Sequence, residues 1–109
     1  MQKEYRLCTN RQFGYVYHRG KKANSPALSL FCAKSKQKKV GFSINKKVGV
    51  AVIRNRIKRR LRACVRPLLP TMKNGMYVFL VRPDAAELSY QALQAQVESL
   101  LERLRATES

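Results

Sequence analysis

Residues 46–70 read KKVGVAVIRNRIKRRLRACVRPLLP. From residue 51 to about 68 the apolar side chains recur at helical spacing. At ~100° per residue, Ile53, Ile57, Leu61, Cys64, Val65 and Leu68 fall within a stripe about 120° wide. Arg56, Lys58, Arg59, Arg62 and Arg66 fill the remaining arc, with Arg54 and Arg60 at its edges. Such a helix packs one side against a sheet and presents guanidinium and ammonium groups on the others. Pro67 near its end and Pro70 beyond it mark termination.

Strand signals flank this helix. Upstream, ALSLFCA alternates, with Leu28, Leu30 and Cys32 on one face and Ser29 and Phe31 on the other, as in a half-buried strand. KSKQKK reads as an exposed turn. VGFSIN alternates again, with Val40, Phe42 and Ile44 inward and Gly41, Ser43 and Asn45 outward, and the two strands are expected to pair as a hairpin. Earlier still, residues 10–19 read as a short helix. Asn10 is its N-cap, Phe13, Val16 and Tyr17 share one face, and Gly20 is its stop signal. KKANSP follows as a loop. Downstream, YVFLVR is apolar on both faces, as a central strand would be, and Pro83 closes it. Ser89 caps a last helix lined by Leu93, Val97, Leu100, Leu101 and Leu104. The order is α-β-β-α-β-α: an α+β sandwich, one domain over residues 1–109, with helices packed on a small sheet.

The charge balance narrows the function. The 109 residues carry 23 Lys+Arg against 6 Asp+Glu, a formal net charge of +17. Apart from Glu4, no acid precedes Asp84, so 20 bases stand unopposed over residues 5–83. A compact body so charged repels itself unless a polyanion is present, and nucleic acid and anionic membrane are the candidates. Hydrophobic content of 45% is too high for a disordered basic tail. The longest apolar run is far too short to span a bilayer. The N-terminus lacks the apolar core of a signal peptide, which makes cytoplasmic the default address. Cys8, Cys32 and Cys64 are odd in number and lack C-x-x-C spacing, which argues against a disulfide framework or a zinc site.

Within RNRIKRRLR, residues 54–62, six of nine positions are cationic. A solvated face is the plain alternative, but clustered like charge costs helix stability. A run without interspersed acid is the usual footprint of phosphate binding. Arginine forks pair bidentately with phosphate oxygens, and Asn55 adds an amide for a sugar or base edge. Phe31, on the more polar strand face, either stacks an unpaired base or is ordinary core beneath a helix; Phe13 and Tyr17 carry the same ambiguity. His18 has no acidic or nucleophilic neighbour and no expected catalytic role. A metal-dependent protein nuclease needs several converging carboxylates, and residues 5–83 offer none. No catalytic and no metal-binding residue is therefore assigned to the protein.

KKVGVAVIRNRIKRRLR, residues 46–62, closely resembles the signature of the bacterial ribonuclease P protein subunit. In that family a lysine-rich turn leads through Gly-x-Ala-Val into Arg-Asn-Arg-x-Lys-Arg-x-x-Arg. Phe13 and Tyr17 with Gly20 resemble its first helix, Phe31 falls at an aromatic position of the following strand, and YVFLVRP with LSY resembles its last strand and helix start. Two features depart from the family pattern: Val50 stands where the family usually has asparagine, and Gly75-Met76 where an acid is common.

The resemblance implies a small mixed sheet with a left-handed β-α-β crossover, like the second domain of a small-subunit ribosomal protein. It implies a monomeric subunit bound one-to-one to a catalytic RNA, ribonuclease P RNA, which holds the Mg²⁺. The holoenzyme would remove the 5′ leader of precursor tRNA by endonucleolytic hydrolysis. Lys46, Lys47, Arg54, Asn55, Arg56, Lys58, Arg59 and Arg62 would contact that RNA, and Phe13, Tyr17 and Phe31 would line a cleft for the single-stranded leader. Neither membrane nor DNA is an expected partner. A small basic protein binding ribosomal RNA is the alternative.

Overall fold

The computed structural model describes residues 6, 7 and 10–104; Cys8 lies outside them. The chain runs α1 (Asn10–Arg19), β1 (Lys21–Asn24), β2 (Leu28–Ala33), β3 (Lys38–Ile44), α2 (Ala51–Val65), β4 (Gly75–Val81) and α3 (Tyr90–Arg103). Short 3-10 segments at Lys46–Val48, Arg66–Thr71 and Pro83–Glu87 link the later elements.

Four strands lie in the order β1-β2-β4-β3. β4 is antiparallel to β2, in register Leu30 with Phe79, and parallel to β3, in register Phe42 with Phe79. α2 is the crossover between the parallel strands β3 and β4. Its stripe behaves as the periodicity requires: Ile57, Leu61, Cys64 and Val65 are buried, and Ile53 and Leu68 pack at the margin. On this side of the sheet α2 and α3 close one core over Leu28, Leu30, Val40, Tyr77, Phe79 and Val81. On the other, α1 covers a smaller cluster of Leu7, Val16, Ala33 and Val78, with Phe13, Phe31 and Met76 at its edge.

Several expectations are corrected. β2 and β3 do not form a hairpin, because β4 inserts between them. Apolar on both faces, β4 needs a neighbour along each edge, and the centre of the sheet supplies two. KKANSP is not all loop: Lys21–Asn24 pair with β2 as an edge strand. Its signal is weak because only Ala23 is buried, and lysines are typical of an edge that must not recruit another strand. Lys38 and Lys39 belong to β3 rather than to the preceding turn. The α-helical stretch stops at Val65, not at residue 68, and tightens into the 3-10 segment containing Pro67 and Pro70, which lack the N–H groups an α-helix would use. Asn10 is the first residue of α1 rather than a cap preceding it.

β2 is covered on both faces rather than half-buried. Ser29 is fully buried, and its hydroxyl donates to Asn24 Oδ1 at 2.6 Å. Arg82, just past β4, fastens this end of the sheet by donating to the carbonyls of Ser25 (2.7 Å) and Leu28 (3.0 Å). The cap of α3 is as expected, with the Ser89 hydroxyl accepting from the Ala92 N–H at 3.2 Å.

Candidate nucleic-acid interface

The cations of α2 are aimed by the turn that precedes it. Asn45 closes the Lys46–Val48 segment by accepting from the Lys47 N–H at 2.9 Å, which leaves Lys46 and Lys47 exposed. Gly49 follows at φ +154°, ψ −175°, a conformation open essentially to glycine alone. A Cβ there would also press on Ile53 at 3.1 Å. α2 then starts with Val50 at the N-cap, without a side-chain cap and without an acid in its first turn. The positive end of the helix dipole is thus left uncompensated beside Lys46, Lys47 and Arg54.

Along α2, Asn55, Arg56 and Arg59 are exposed, whereas Arg54, Lys58 and Arg62 are half-buried. Arg54 Nε and Arg62 Nε are buried and have no partner. Burial and the neighbouring Arg6 charge lower the pKa of the Arg62 guanidinium below its ordinary value. Arginine stays protonated regardless, so Arg54 and Arg62 remain full cations with an unpaired N–H each.

Lys58 and Arg62 reach past edge strand β3 towards α1 on the opposite face. There they line an open hollow of about 340 Å³ together with Arg6, Leu7, Phe13 and Phe42. Gly41 makes this possible. A Cβ at that position would lie 2.7 Å from Phe13 Cζ and 2.9 Å from Leu7 Cβ, so the Phe13 ring rests directly on the strand backbone. Cations and an aromatic thus meet in one concavity.

Tyr17 and Phe31 meet farther along α1, edge to face, with ring centroids 4.9 Å apart and planes at 90°. Lys22 Nζ lies 5.2 Å from the centre of the Phe31 ring, a cation–π contact. Phe31 is half-buried beneath α1, while Tyr17 is 40% exposed. The three aromatics therefore lie on one side of the sheet but in two places: Phe13 with the α2 cations, Tyr17 and Phe31 with Lys22. Sequence reasoning missed Arg6, Lys22 and Gly41. A glycine inside a strand pattern signals close backbone approach, and Gly41 was such a signal.

His18 is exposed and joins no site. Among the described residues, no group of three or more His, Cys, Asp or Glu gathers to hold a metal ion, and no helix is long and apolar enough to cross a membrane.

Comparison with known proteins agrees with the fold. The family model described as ribonuclease P matches residues 1–105. The ribonuclease P protein component of a Nitratiruptor species is 37% identical over 99 residues, covering 91% of each chain. That of Roseiflexus castenholzii is 39% identical over 107 residues, covering 94% of this chain and 88% of the relative. Among solved structures, the ribonuclease P protein of Staphylococcus aureus superposes with a TM-score of 0.90 at 24% identity, over 97% of this chain and all of that one. The Thermotoga maritima protein, solved with 1-(4-fluorophenyl)-2-thiourea, gives 0.82 at 23% identity, over 90% of this chain and 98% of that one. With the motif of residues 46–62 mounted on the exposed arc of α2, and with these relatives along nearly its whole length, the chain belongs to the ribonuclease P protein family.

Proposed function

We propose that this chain is the protein subunit of a ribonuclease P ribonucleoprotein that removes the 5′ leader from precursor tRNA. One observation carries the reading: an unbroken field of cations on α2 turns one flank into a hollow that also holds an aromatic. The preceding turn, with Lys46 and Lys47, and the polar arc of α2, with Arg54, Asn55, Arg56, Lys58, Arg59 and Arg62, dock the catalytic RNA through its phosphates. The α1 side, with Phe13, Tyr17 and Phe31, grips the single-stranded leader, so precursor is favoured over product. Base stacking on such rings is sequence-tolerant, which suits leaders of differing sequence.

Among the described residues no three of His, Cys, Asp or Glu come together, and the hollow beside Phe13 is lined by Arg6, Lys58 and Arg62, cations that do not suit Mg²⁺. In this reading the RNA supplies the metal ligands and the chemistry. The protein adds positive field, orientation and hold on the leader. A one-to-one complex with the RNA in the cytoplasm is part of the proposal.

The test mixes the protein with a bacterial ribonuclease P RNA and labelled precursor tRNA at low Mg²⁺ and follows leader release. Stimulation over RNA alone is expected, and its loss when Arg54, Arg56 and Lys58 become alanine. If ~6 phosphates are neutralised, the logarithm of the binding constant falls against log salt with a slope of roughly −4 to −5. A flat salt response, or tight binding to ribosomal RNA with no effect on leader release, overturns the reading.

A further inference from the structure

α2 has a second flank that the leader cleft does not use. Arg56, Arg59, Arg60 and Ala63 of α2, with Tyr90 at the start of α3, line a hollow of about 290 Å³. At ~100° per residue this group is centred roughly 130° round the helix from Lys58 and Arg62. It opens on the α2–α3 side of the sheet, away from Phe13, Tyr17 and Phe31. No acidic residue lines it.

One contact holds a wall in place: Arg60 Nη1 donates to the Leu88 carbonyl at 3.3 Å, fixing that guanidinium at the α3 end. Tyr90 lines the opposite side and stays 37% exposed, so its ring is open to a ligand. Arg56 and Arg59 are exposed. Ala63 leaves the floor of the hollow open, where a longer side chain would fill it.

An exposed aromatic, one guanidinium held at the Leu88 carbonyl and two exposed guanidiniums are the parts needed for one nucleotide. The ring offers a π-face to a base, and the arginine forks take its flanking phosphates. A base inside a duplex has both faces covered, so the occupant is an unpaired nucleotide. We infer that the Arg56–Arg59–Arg60–Tyr90 hollow captures a single unstacked nucleotide of the catalytic RNA, on the flank of α2 opposite the leader. The inference rests on the reading that this chain binds ribonuclease P RNA. It adds a place where that RNA is read by its shape, beyond its charge.

The experiment uses the full chain and a bacterial ribonuclease P RNA without substrate, and measures affinity for Tyr90→Leu and Tyr90→Phe. Stacking losses in single-strand binders correspond to roughly five- to hundred-fold in affinity, so Tyr90→Leu should weaken binding within that range. Tyr90→Phe should stay within about three-fold, since the ring remains. Ultraviolet cross-linking of the wild-type complex should join Tyr90 to an unpaired nucleotide and lose that product in Tyr90→Leu. Should Tyr90→Leu unfold, Arg59→Ala serves instead: it should weaken binding and lower the salt slope by roughly 0.7 to 0.9.

Wild-type affinity in Tyr90→Leu, or a cross-link to the precursor leader, overturns the inference while leaving the wider reading intact. Failure of the wild-type protein to bind the RNA or to stimulate leader release overturns the wider reading itself.

Discussion

On one face of the sheet Leu61, Val65, Phe79, Leu93 and Leu100 are sealed to 0% exposure beneath α2 and α3; on the other, α1 buries Val16 and Val78 but leaves Tyr17 40% exposed. Phe13 and Phe31 on that second face are only half-buried. Both faces began from the same material, alternating strands with an apolar side to cover. The difference lies in what covers them. Two long helices meet over the first and exclude water; a single short helix crosses the second and leaves ring edges beside lysine and arginine. The sealed face supplies rigidity, and because α2 is half of its lid, the cations of α2 are held on a stable base. The open face leaves apolar ring surface exposed beside cations.

Substitutions can break this contrast. Leu61→Ala, in the sealed face, should cost about 2–5 kcal/mol in denaturant unfolding, since the cavity is enclosed on all sides. A loss below about 1 kcal/mol would show that the α2–α3 face is not the main source of stability. Gly41→Ala attacks the open face by forcing a methyl against Phe13 and Leu7. About 1–3 kcal/mol of overpacking is expected. Leader-release stimulation should fall more than affinity for the catalytic RNA, and equal losses in both would place Phe13 outside the leader cleft.

Two milder changes sharpen the comparison. Val50 caps α2 without a side-chain acceptor, at φ −66° and ψ 168°, which suits a capping residue. Val50→Asn should therefore add about 1 kcal/mol, read as a higher midpoint in thermal unfolding. An unchanged midpoint would mean that the Lys46–Gly49 turn already satisfies the first turn of α2. Tyr17→Ala, on the exposed side, should cost at most about 1 kcal/mol of stability, because an edge-to-face pair contributes little more. It should still reduce discrimination between precursor and mature tRNA several-fold, while affinity for the catalytic RNA stays constant. Unaltered discrimination would leave Phe31 and Phe13 as the only aromatics for the leader.

What was legible in the sequence follows the range of the interactions. The stripe from Ile53 to Val65, the Ser89 cap and the two-sided apolarity of β4 are local patterns, and each is realised. The hairpin was misread because β2 and β3 are joined by a short lysine-rich turn that looks local. Their real partner lies about 40 residues further on, where the register of Val40 and Cys32 with Tyr77 is set. β4's need for two neighbours was visible, but not which two. β1 escaped because an edge strand guarded by Lys21 and Lys22 buries one alanine and leaves almost no hydrophobic trace. Of the candidate site, the α2 cations could be named from sequence. Their division into two flanks could not, because it depends on Phe13 arriving over Gly41 and Tyr90 joining Ala63 at the second hollow, arrangements that exist only after the fold has closed.

The central place of β4 also bears on how the chain is made. Residues 75–81 are synthesised after every other strand, and until they emerge β2 has β1 alone beside it and β3 lacks β4. A growing chain that has already exposed α2 carries a dense positive charge and two open strand edges, with no core to close over them. Pairings this distant in sequence form slowly, and unpaired edges invite association with other chains. Self-repulsion among the 20 bases of residues 5–83 keeps such chains apart from one another during that interval. The charge that serves RNA binding in the finished molecule thus also protects the unfinished one from aggregation.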